Sequence, residues 1–332
     1  MKLRKLGKDG PEVFPVGYGA MSFADFYGET NEANSHAILD AAIEAGVTHI
    51  DTSNVYGMGK SENAIGSYLK ANPSARDHFV IATKAAITRD AEGKRCFDNS
   101  AAHLESELDK SLARMGIDCV DLFYIHRRDP RIEIEEVTET LAGFVRKGKI
   151  RSIGYSEIAP SSLRRASAIH PVAAVQSEYS LSTRLPDLGL VQACAELGTA
   201  LVAFSPVGRS LLTDTPLSLE ACGPLEFLTT NPRFIEPNYS ANIAATDRLR
   251  ALAAEMGIPT ASLAVAWTLT RGEHVIPIPG TRSVSHFREL IRGAEIELTK
   301  TDLARIDEVL PVGWAHGPRY NAAQSVGPEG YC

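Results

Sequence analysis

The chain has 332 residues and carries 34 Lys and Arg against 41 Asp and Glu, a formal charge of −7 with His neutral. Hydrophobic residues at 44% and charged residues at 23% are ordinary for a soluble globular protein, and an acidic chain without a Lys/Arg block argues against nucleic acid or a membrane surface as main partner. No apolar run reaches the roughly 18 residues of a spanning helix.

The basic start Met1-Lys-Leu-Arg-Lys-Leu-Gly7 leads into no apolar run, so it does not read as a signal peptide. The five cysteines (Cys96, Cys119, Cys194, Cys222, Cys332) include no CxxC. That pattern indicates neither a disulfide framework nor a zinc site, and a reducing, cytoplasmic setting is the simplest reading. At roughly 150 residues per domain the length alone suggests two domains, although an α/β barrel of this size is one.

In chain order, residues 2–6 and 12–16 flank Gly7-Lys-Asp-Gly10-Pro11 and predict a hairpin. Short apolar runs then alternate with helical patterns. The runs are 16–20, 47–51, 79–83, 121–125, 150–154, 172–176, 200–205 and 274–278. Helices are predicted over 32–45, 61–71, 100–115 and 134–147, from Pro160, over 186–197, 243–256 and 260–270, and over 284–294 and 300–309. Thr30 or Asn31, and Asn99 or Ser100, cap the first and third, and Gly46, Gly116, Gly148 and Gly198 end helices. A long connection follows the seventh run, and a Gly- and Pro-rich tail begins at Pro311.

Eight strand–helix units in series predict a parallel sheet. The runs are short, apolar and not alternating, as strands buried on both faces are. Eight units point to one (β/α)8 TIM barrel domain over 1–332, with an N-terminal hairpin, a long loop after strand 7 and a C-terminal tail. The rival, a doubly wound sheet, wants a Gly-rich dinucleotide turn after its first strand, and Gly17-Tyr-Gly19-Ala-Met21 lacks the third glycine.

Catalytic groups of such barrels stand at the carboxyl ends of strands. Asp51 follows the second strand with Tyr56 five residues on, Lys84 follows the third, and His126 the fourth. An ammonium beside Tyr56 stabilises its phenolate, and Asp51 would hold that ammonium in place. Such a Tyr can give a proton to a forming alkoxide, while His126 orients a carbonyl oxygen. No Ser stands in Gly-x-Ser-x-Gly, so a hydride donor must come from a cofactor. Each residue alone reads more simply as structural: a helix cap, a turn Tyr, a solvated Lys, a buried His. Their order at successive strand ends favours the catalytic reading.

The motifs Asp51-Thr-Ser-Asn-Val-Tyr56-Gly, Thr83-Lys84, Asp121-Leu-Phe-Tyr-Ile-His126, Gly154-Tyr-Ser156-Glu157, Gln176-Ser-Glu-Tyr179-Ser, Phe204-Ser-Pro-Val-Gly208 and Ile278-Pro-Gly280-Thr-Arg282 resemble the aldo-keto reductase superfamily. The resemblance runs from Gly19 to Glu289 and is nearest the bacterial and plant branch of pyridoxal reductases and auxin-induced-type reductases. It implies a (β/α)8 barrel, with Tyr56 as general acid, Lys84 and Asp51 tuning it, and His126 orienting the carbonyl. NADP(H) would lie across the mouth, near Gly19, Met21 and Asp51. Ser156, Glu157 and Gln176 would surround the carboxamide, and Phe204 would stack on the nicotinamide. Ser205, Val207, Gly208, Arg209 and Leu211 would line the pyrophosphate, Gly280, Thr281 and Arg282 the 2′-phosphate, and His286 and Glu289 the adenosine.

Thr281-Arg282-Ser283 opens a helix, and helix starts favour phosphate, although a capped helix with a solvent Arg reads equally well. His286, Leu290 and Gly280 depart from the common pattern and leave NAD(H) or dual use open. Expected pocket walls are Met21, Phe23, Tyr27, Val55, Ala85, Arg127, Trp314 and Tyr320. Arg127 and Arg128 would either favour an anionic substrate or pair with Asp129 and Glu133, the pairing being preferred. A small-molecule carbonyl compound is the expected partner and no metal is expected.

Two rivals remain. Potassium-channel β-subunits share this fold and keep the cofactor as a redox sensor with slow turnover. A metal-dependent barrel hydrolase would need paired histidines at strand ends, and His49, His126 and His274 are not paired so.

Overall fold

The structure is a computed structural model and describes residues 2–331. Eight parallel strands pair in sequence order: β1 (Tyr18–Gly19), β2 (His49–Asp51), β3 (Val80–Ala85), β4 (Val120–Ile125), β5 (Ile150–Ser156), β6 (Val172–Glu178), β7 (Ala200–Phe204) and β8 (Val275–Pro277). The Gly17 N–H donates to Pro277 O (2.9 Å) and the Gly19 N–H to Pro279 O (3.0 Å), which joins the last strand to the first. The sheet is therefore a closed (β/α)8 barrel. Glycine is required along this seam, because a Cβ on Gly280 would sit 2.4 Å from Gly19 O.

The helices are α1 (Glu32–Glu44), α2 (Lys60–Ala71), α3 (Ala101–Met115), α4 (Ile134–Arg146), α5 (Pro160–Ile169), α6 (Leu190–Leu197), α7 (Asn238–Glu255), α8 (Thr260–Leu269), α9 (Val284–Arg292) and α10 (Lys300–Val309). Side chains of Asn31, Ser100, Ser283 and Thr299 cap α1, α3, α9 and α10, satisfying first-turn N–H groups. The helix expected over 186–197 is split. Gly189 at φ 119° cannot continue a helix, so a 3-10 turn (Leu185–Leu188) precedes α6. α7 begins five residues before its expected start, directly after Pro237.

Strand alternation sorts β3. Val80, Ala82 and Lys84 point into the barrel, whereas Ile81, Thr83 and Ala85 face the helices, Thr83 donating to Glu62 of α2 at 2.5 Å. The interior is filled by Ala82, Leu122, Tyr124, Ala174, Ala200, Val202 and Ile276, and Leu6 and Val13 of the N-terminal hairpin plug it. That hairpin pairs Arg4–Lys5 with Glu12–Val13. Gly7 lies against Ala173 at the start of β6, so the plug closes the amino end and leaves the carboxyl end for loops.

Two features of those loops were not expected. A second hairpin, Ile87–Arg89 with Arg95–Phe97, follows β3. The tail also does not hang free. The Trp314 indole donates to Leu181 O (2.8 Å), Arg319 bonds to Glu157, and the Glu329 N–H donates to Glu157 O (2.8 Å). The tail thus crosses the carboxyl ends of β5 and β6.

Tyr124 fixes its register partner on the neighbouring strand β5. A Cβ on Gly154 would lie 2.5 Å from the Tyr124 ring, so Gly154→Ala is expected to lower unfolding free energy by about 1–3 kcal/mol through overpacking. Urea denaturation measures this, and an unchanged midpoint would contradict it.

Candidate active site

Asp51 ends β2, and Lys84 stands on the inward row of the adjacent β3. Both are buried, Lys84 completely. The ammonium makes an ion pair with Asp51 and donates to Thr52 O (2.8 Å) and to the Tyr56 hydroxyl (3.3 Å). The other Asp51 oxygen accepts from the Gln176 amide (2.7 Å) on β6. Tyr56 is placed by a turn in which its N–H donates to Ser53 O (3.1 Å). The His126 N–H donates to Ala85 O (2.8 Å), which extends the β3–β4 pairing by one bond. Its ring stands edge-on to Tyr56, centroids 5.9 Å apart. Ser53 Oγ lies 3.1 Å from His126 Nδ1. With the hydroxyl donating there, the ring proton sits on Nε2, free to face a ligand.

The charge states follow from burial and neighbours. Burial works against the Lys84 cation, but Asp51 and Tyr56 outweigh it and hold the ammonium above its ordinary value. Burial pushes the Tyr56 phenol above its ordinary value, and Lys84 offsets part of that rise. Burial, with Arg127, Lys84 and Arg95, pushes His126 well below the usual imidazole range. At neutral pH the site holds a protonated phenol, a neutral imidazole and a closed ion pair. Such a site can donate a hydrogen bond and a proton to one oxygen.

The aldo/keto reductase family model matches residues 15–311. The chain is 34% identical over 96% of its length to "Aldo-keto reductase yakc (NADP(+))" of Schizosaccharomyces pombe, covering 94% of that protein. It is 35% identical over 95% of its length to "Probable aldo-keto reductase 1" of Glycine max, covering 91% of it. Among solved structures, a glycerol dehydrogenase from Gluconobacter oxydans superposes with a TM-score of 0.81 at 26% identity, covering 93% of this chain and 94% of that one.

The chain belongs to the aldo/keto reductase family, a family of oxidoreductases. Around the tetrad of this aldo-keto reductase the other expected site residues fall into groups. Met21, Tyr27, Val55, Ser205 and Val207 stand partly exposed after strands, Phe204 is partly exposed as the last residue of β7, and Gly208 is buried at φ 57°. Ser156 accepts from Arg127 (3.0 Å). Gly280, Thr281, Arg282, His286 and Glu289 lie apart, at the start of α9. There Arg282 is exposed and donates to Glu29 O (2.7 Å), and Ser283 Oγ caps the His286 N–H.

Several expectations are corrected. Ala85 does not line the pocket, because alternation turns it outward once Lys84 points in. Phe23 packs in the core on Tyr18, centroids 5.2 Å apart, and Trp314 is likewise in the core. Leu211 buries its side chain with Cys222, Leu228 and Phe234 in the core of the long loop, and its N–H is used by Gly208 O. Arg209 is not a free cation, since it is paired with Glu178 (2.7 Å). Arg127 and Arg128 do not pair with Asp129 and Glu133. Asp129 binds Arg131 (2.7 Å), Glu133 binds Arg165 (2.5 Å), and Arg128 faces Glu329 (3.6 Å).

Ser53 and the group around Glu178 escaped the sequence reading. Ser53 sits inside the Asp51–Gly57 motif, and its polarity just after a strand end is the available signal. Arg233 and Arg319 reach Glu178 from distant segments, and nothing in their spacing announces it.

Two predictions follow from the charges. Lys84→Met leaves Asp51 buried without its cation and is expected to cost about 3–5 kcal/mol, read by chemical denaturation; a loss under 1 kcal/mol would refute the pairing argument. The folded pKa of His126 lies below its unfolded value of about 6.5. The neutral ring's contribution to stability is therefore complete above pH 6.5 and is lost as pH falls toward the folded value. Ring ¹⁵N shifts should show a neutral imidazole at pH 6, and an imidazolium there would reverse the assignment.

Proposed function

We propose that this chain is an NADP(H)-dependent reductase of an aldehyde or ketone, reversible with the alcohol, working in a cytoplasmic setting. The single observation that carries the reading is the position of the Tyr56 hydroxyl, 3.3 Å from the buried Lys84 ammonium and flanked by His126.

The residues present fit the cofactor. Phe204 is partly exposed at the carboxyl end of β7, the end of the barrel that carries the tetrad. Gln176 and Ser156 bring amide and hydroxyl groups to neighbouring strand ends. Arg282 is an exposed cation without an ion pair among the described residues, at the start of a nine-residue helix, where phosphate is favoured. These residues would hold NADPH, with Gly280 and Thr281 at the phosphate end; when bound it supplies the hydride.

The chain's own residues do the rest. His126 donates from Nε2 to the carbonyl oxygen and orients it. Tyr56 donates its proton to that oxygen as the alcohol forms. Lys84 then stabilises the phenolate left behind, and Asp51, held by Gln176, keeps Lys84 charged and in place. Burial keeps the phenol protonated until the oxygen needs it.

Tyr56→Phe removes the proton donor and little else. NADPH-dependent reduction of a test aldehyde should fall by about 10²–10⁴-fold, while NADPH binding, followed by fluorescence quenching, stays within a factor of three. Reduction at the wild-type rate would sink the mechanism. NADH in parallel tests the cofactor assignment, which expects the weaker KM with NADH.

A further inference from the structure

Four arginines are buried among the described residues, and three have carboxylate partners: Arg128 faces Glu329, and Arg209 and Arg233 face Glu178. Arg127 makes no ion pair among the described residues, although it is only 8% exposed. Its Nη1 donates to His126 O (2.6 Å) and Ser156 Oγ (3.0 Å). Its Nε is buried with no acceptor, and its Nη2 makes no hydrogen bond among the described residues. A guanidinium taken out of water without a counter-charge is unfavourable. This fold pairs its other buried arginines.

The position of that unpaired cation matters. Arg127 is the residue after His126, whose ring stands beside Tyr56. Its charge is close enough to favour the Tyr56 phenolate and to disfavour an imidazolium at His126. Carboxylates that could have neutralised it are committed elsewhere: Glu157 to Arg319, Asp129 to Arg131, Asp51 to Lys84. A second cation, Arg95, comes from the unexpected hairpin. It lies over the Phe97 ring (5.0 Å) and has no ion pair among the described residues. The tail packs on the same spot, where a Cβ on Gly327 would lie 2.7 Å from Phe97 and 3.2 Å from Arg127 Cδ. The stem of Arg127 is therefore held while Nε and Nη2 lack partners among the described residues.

We propose that Arg127 binds an anionic group of the carbonyl substrate, so that this enzyme reduces aldehydes or ketones bearing a carboxylate or a phosphate. The proposal rests on the reductase reading above. A guanidinium presents a forked pair of donors matched to either anion. The anion would dock on Nη2, which among the described residues is neither bonded nor buried, while the carbonyl reaches Tyr56 and His126.

The test compares wild type, Arg127→Gln and Arg127→Lys with saturating NADPH on two matched pairs: succinic semialdehyde with butanal, and glyceraldehyde 3-phosphate with glyceraldehyde. Wild type should favour the anionic member of at least one pair in kcat/KM by about 10-fold or more, and the favoured pair names the anion. In Arg127→Gln the anionic-to-neutral ratio should fall about 10–100-fold, and Arg127→Lys should recover part of it. Turnover of the neutral aldehyde shows that each variant is folded. An unchanged ratio in Arg127→Gln overturns the proposal, as does a wild type that prefers the neutral member of both pairs. A weaker NADPH Kd with the ratio intact also overturns it, placing Arg127 with the cofactor. If no aldehyde is turned over, the reductase reading fails. Calorimetry with 4-hydroxybutyrate and glycerol 3-phosphate then reads the anion site alone: binding lost in Arg127→Gln upholds it, and no binding to wild type overturns it.

Discussion

The buried Lys84 ammonium is the constraint around which the mouth of this barrel is arranged. A cation inside a protein is tolerable only where opposite charge and acceptors surround it, and here they come from four places: Asp51, Thr52 O, Tyr56 and, one bond removed, Gln176. Asp51 pairs in register with Ala82, so strand geometry alone puts its carboxylate beside Lys84. Gln176 comes from the opposite wall. β2 and β6 are four strands apart, and in an open sheet at about 4.8 Å per strand they would stand roughly 19 Å from each other. The 2.7 Å bond between Asp51 and Gln176 therefore exists only because the barrel closes. Site and fold are one problem: the seam between β1 and β8, with its close glycines, is what lets the ion pair be satisfied on both sides.

A second buried charge organises the rim. Glu178 at the end of β6 faces Arg209, Arg233 and Arg319. Two of these come from the long loop after β7 and the third from the tail. Burial alone would raise the Glu178 carboxyl, yet the three guanidiniums hold it below its ordinary value. One strand-end carboxylate thus ties down the two longest irregular segments of the chain. Removing any one arginine leaves a buried acid less compensated, so these segments are held to the barrel by a shared charge as well as by the loop's small apolar cluster and the tail's Trp314 in the main core.

How much of this could be read from sequence follows from the range of each interaction. The eight strands, the caps at Asn31 and Ser100 and the tetrad were legible because they rest on local pattern: short apolar runs, a polar residue before a helix, and reactive side chains at strand ends. The hairpin after β3 rests on local pattern too, since Asp90 and Gly93 mark its turn. Ala85 was misplaced because the loop-like reading of Lys84 and its neighbours ignored strand alternation, which sends adjacent residues to opposite faces. Aromatic character alone does not separate a pocket wall from the core, and Phe23 and Trp314 are core. The Glu178 group, the tail's path and the partners of Arg127 were not legible at all. They join residues more than a hundred positions apart in some cases, through loops without a period, and only the closed fold decides which charge meets which.

The charge of −7 therefore describes the outside of the molecule more than its mouth. Many acids sit in exposed pairs, Glu133 and Glu135 with Arg165, or Glu105 and Asp109 with Lys149, where an ion pair contributes little. At the mouth the reverse holds. Asp51, Glu157 and Glu178 are all committed to cations, and among the described residues Arg127 and Arg95 are left without an ion pair. Burial, joined by the same surplus, disfavours an imidazolium, so His126 is neutral and can donate from one nitrogen without carrying charge. The surplus also lowers the energy of the phenolate that Tyr56 becomes after giving up its proton. A mouth built this way treats the states of the reaction unequally: it keeps the phenol protonated by burial before transfer, and it has cations in place for the negative charge that appears afterwards. That difference between states is what accelerates a reaction, and here it comes from pairing almost every acid near the site and leaving selected bases unpaired.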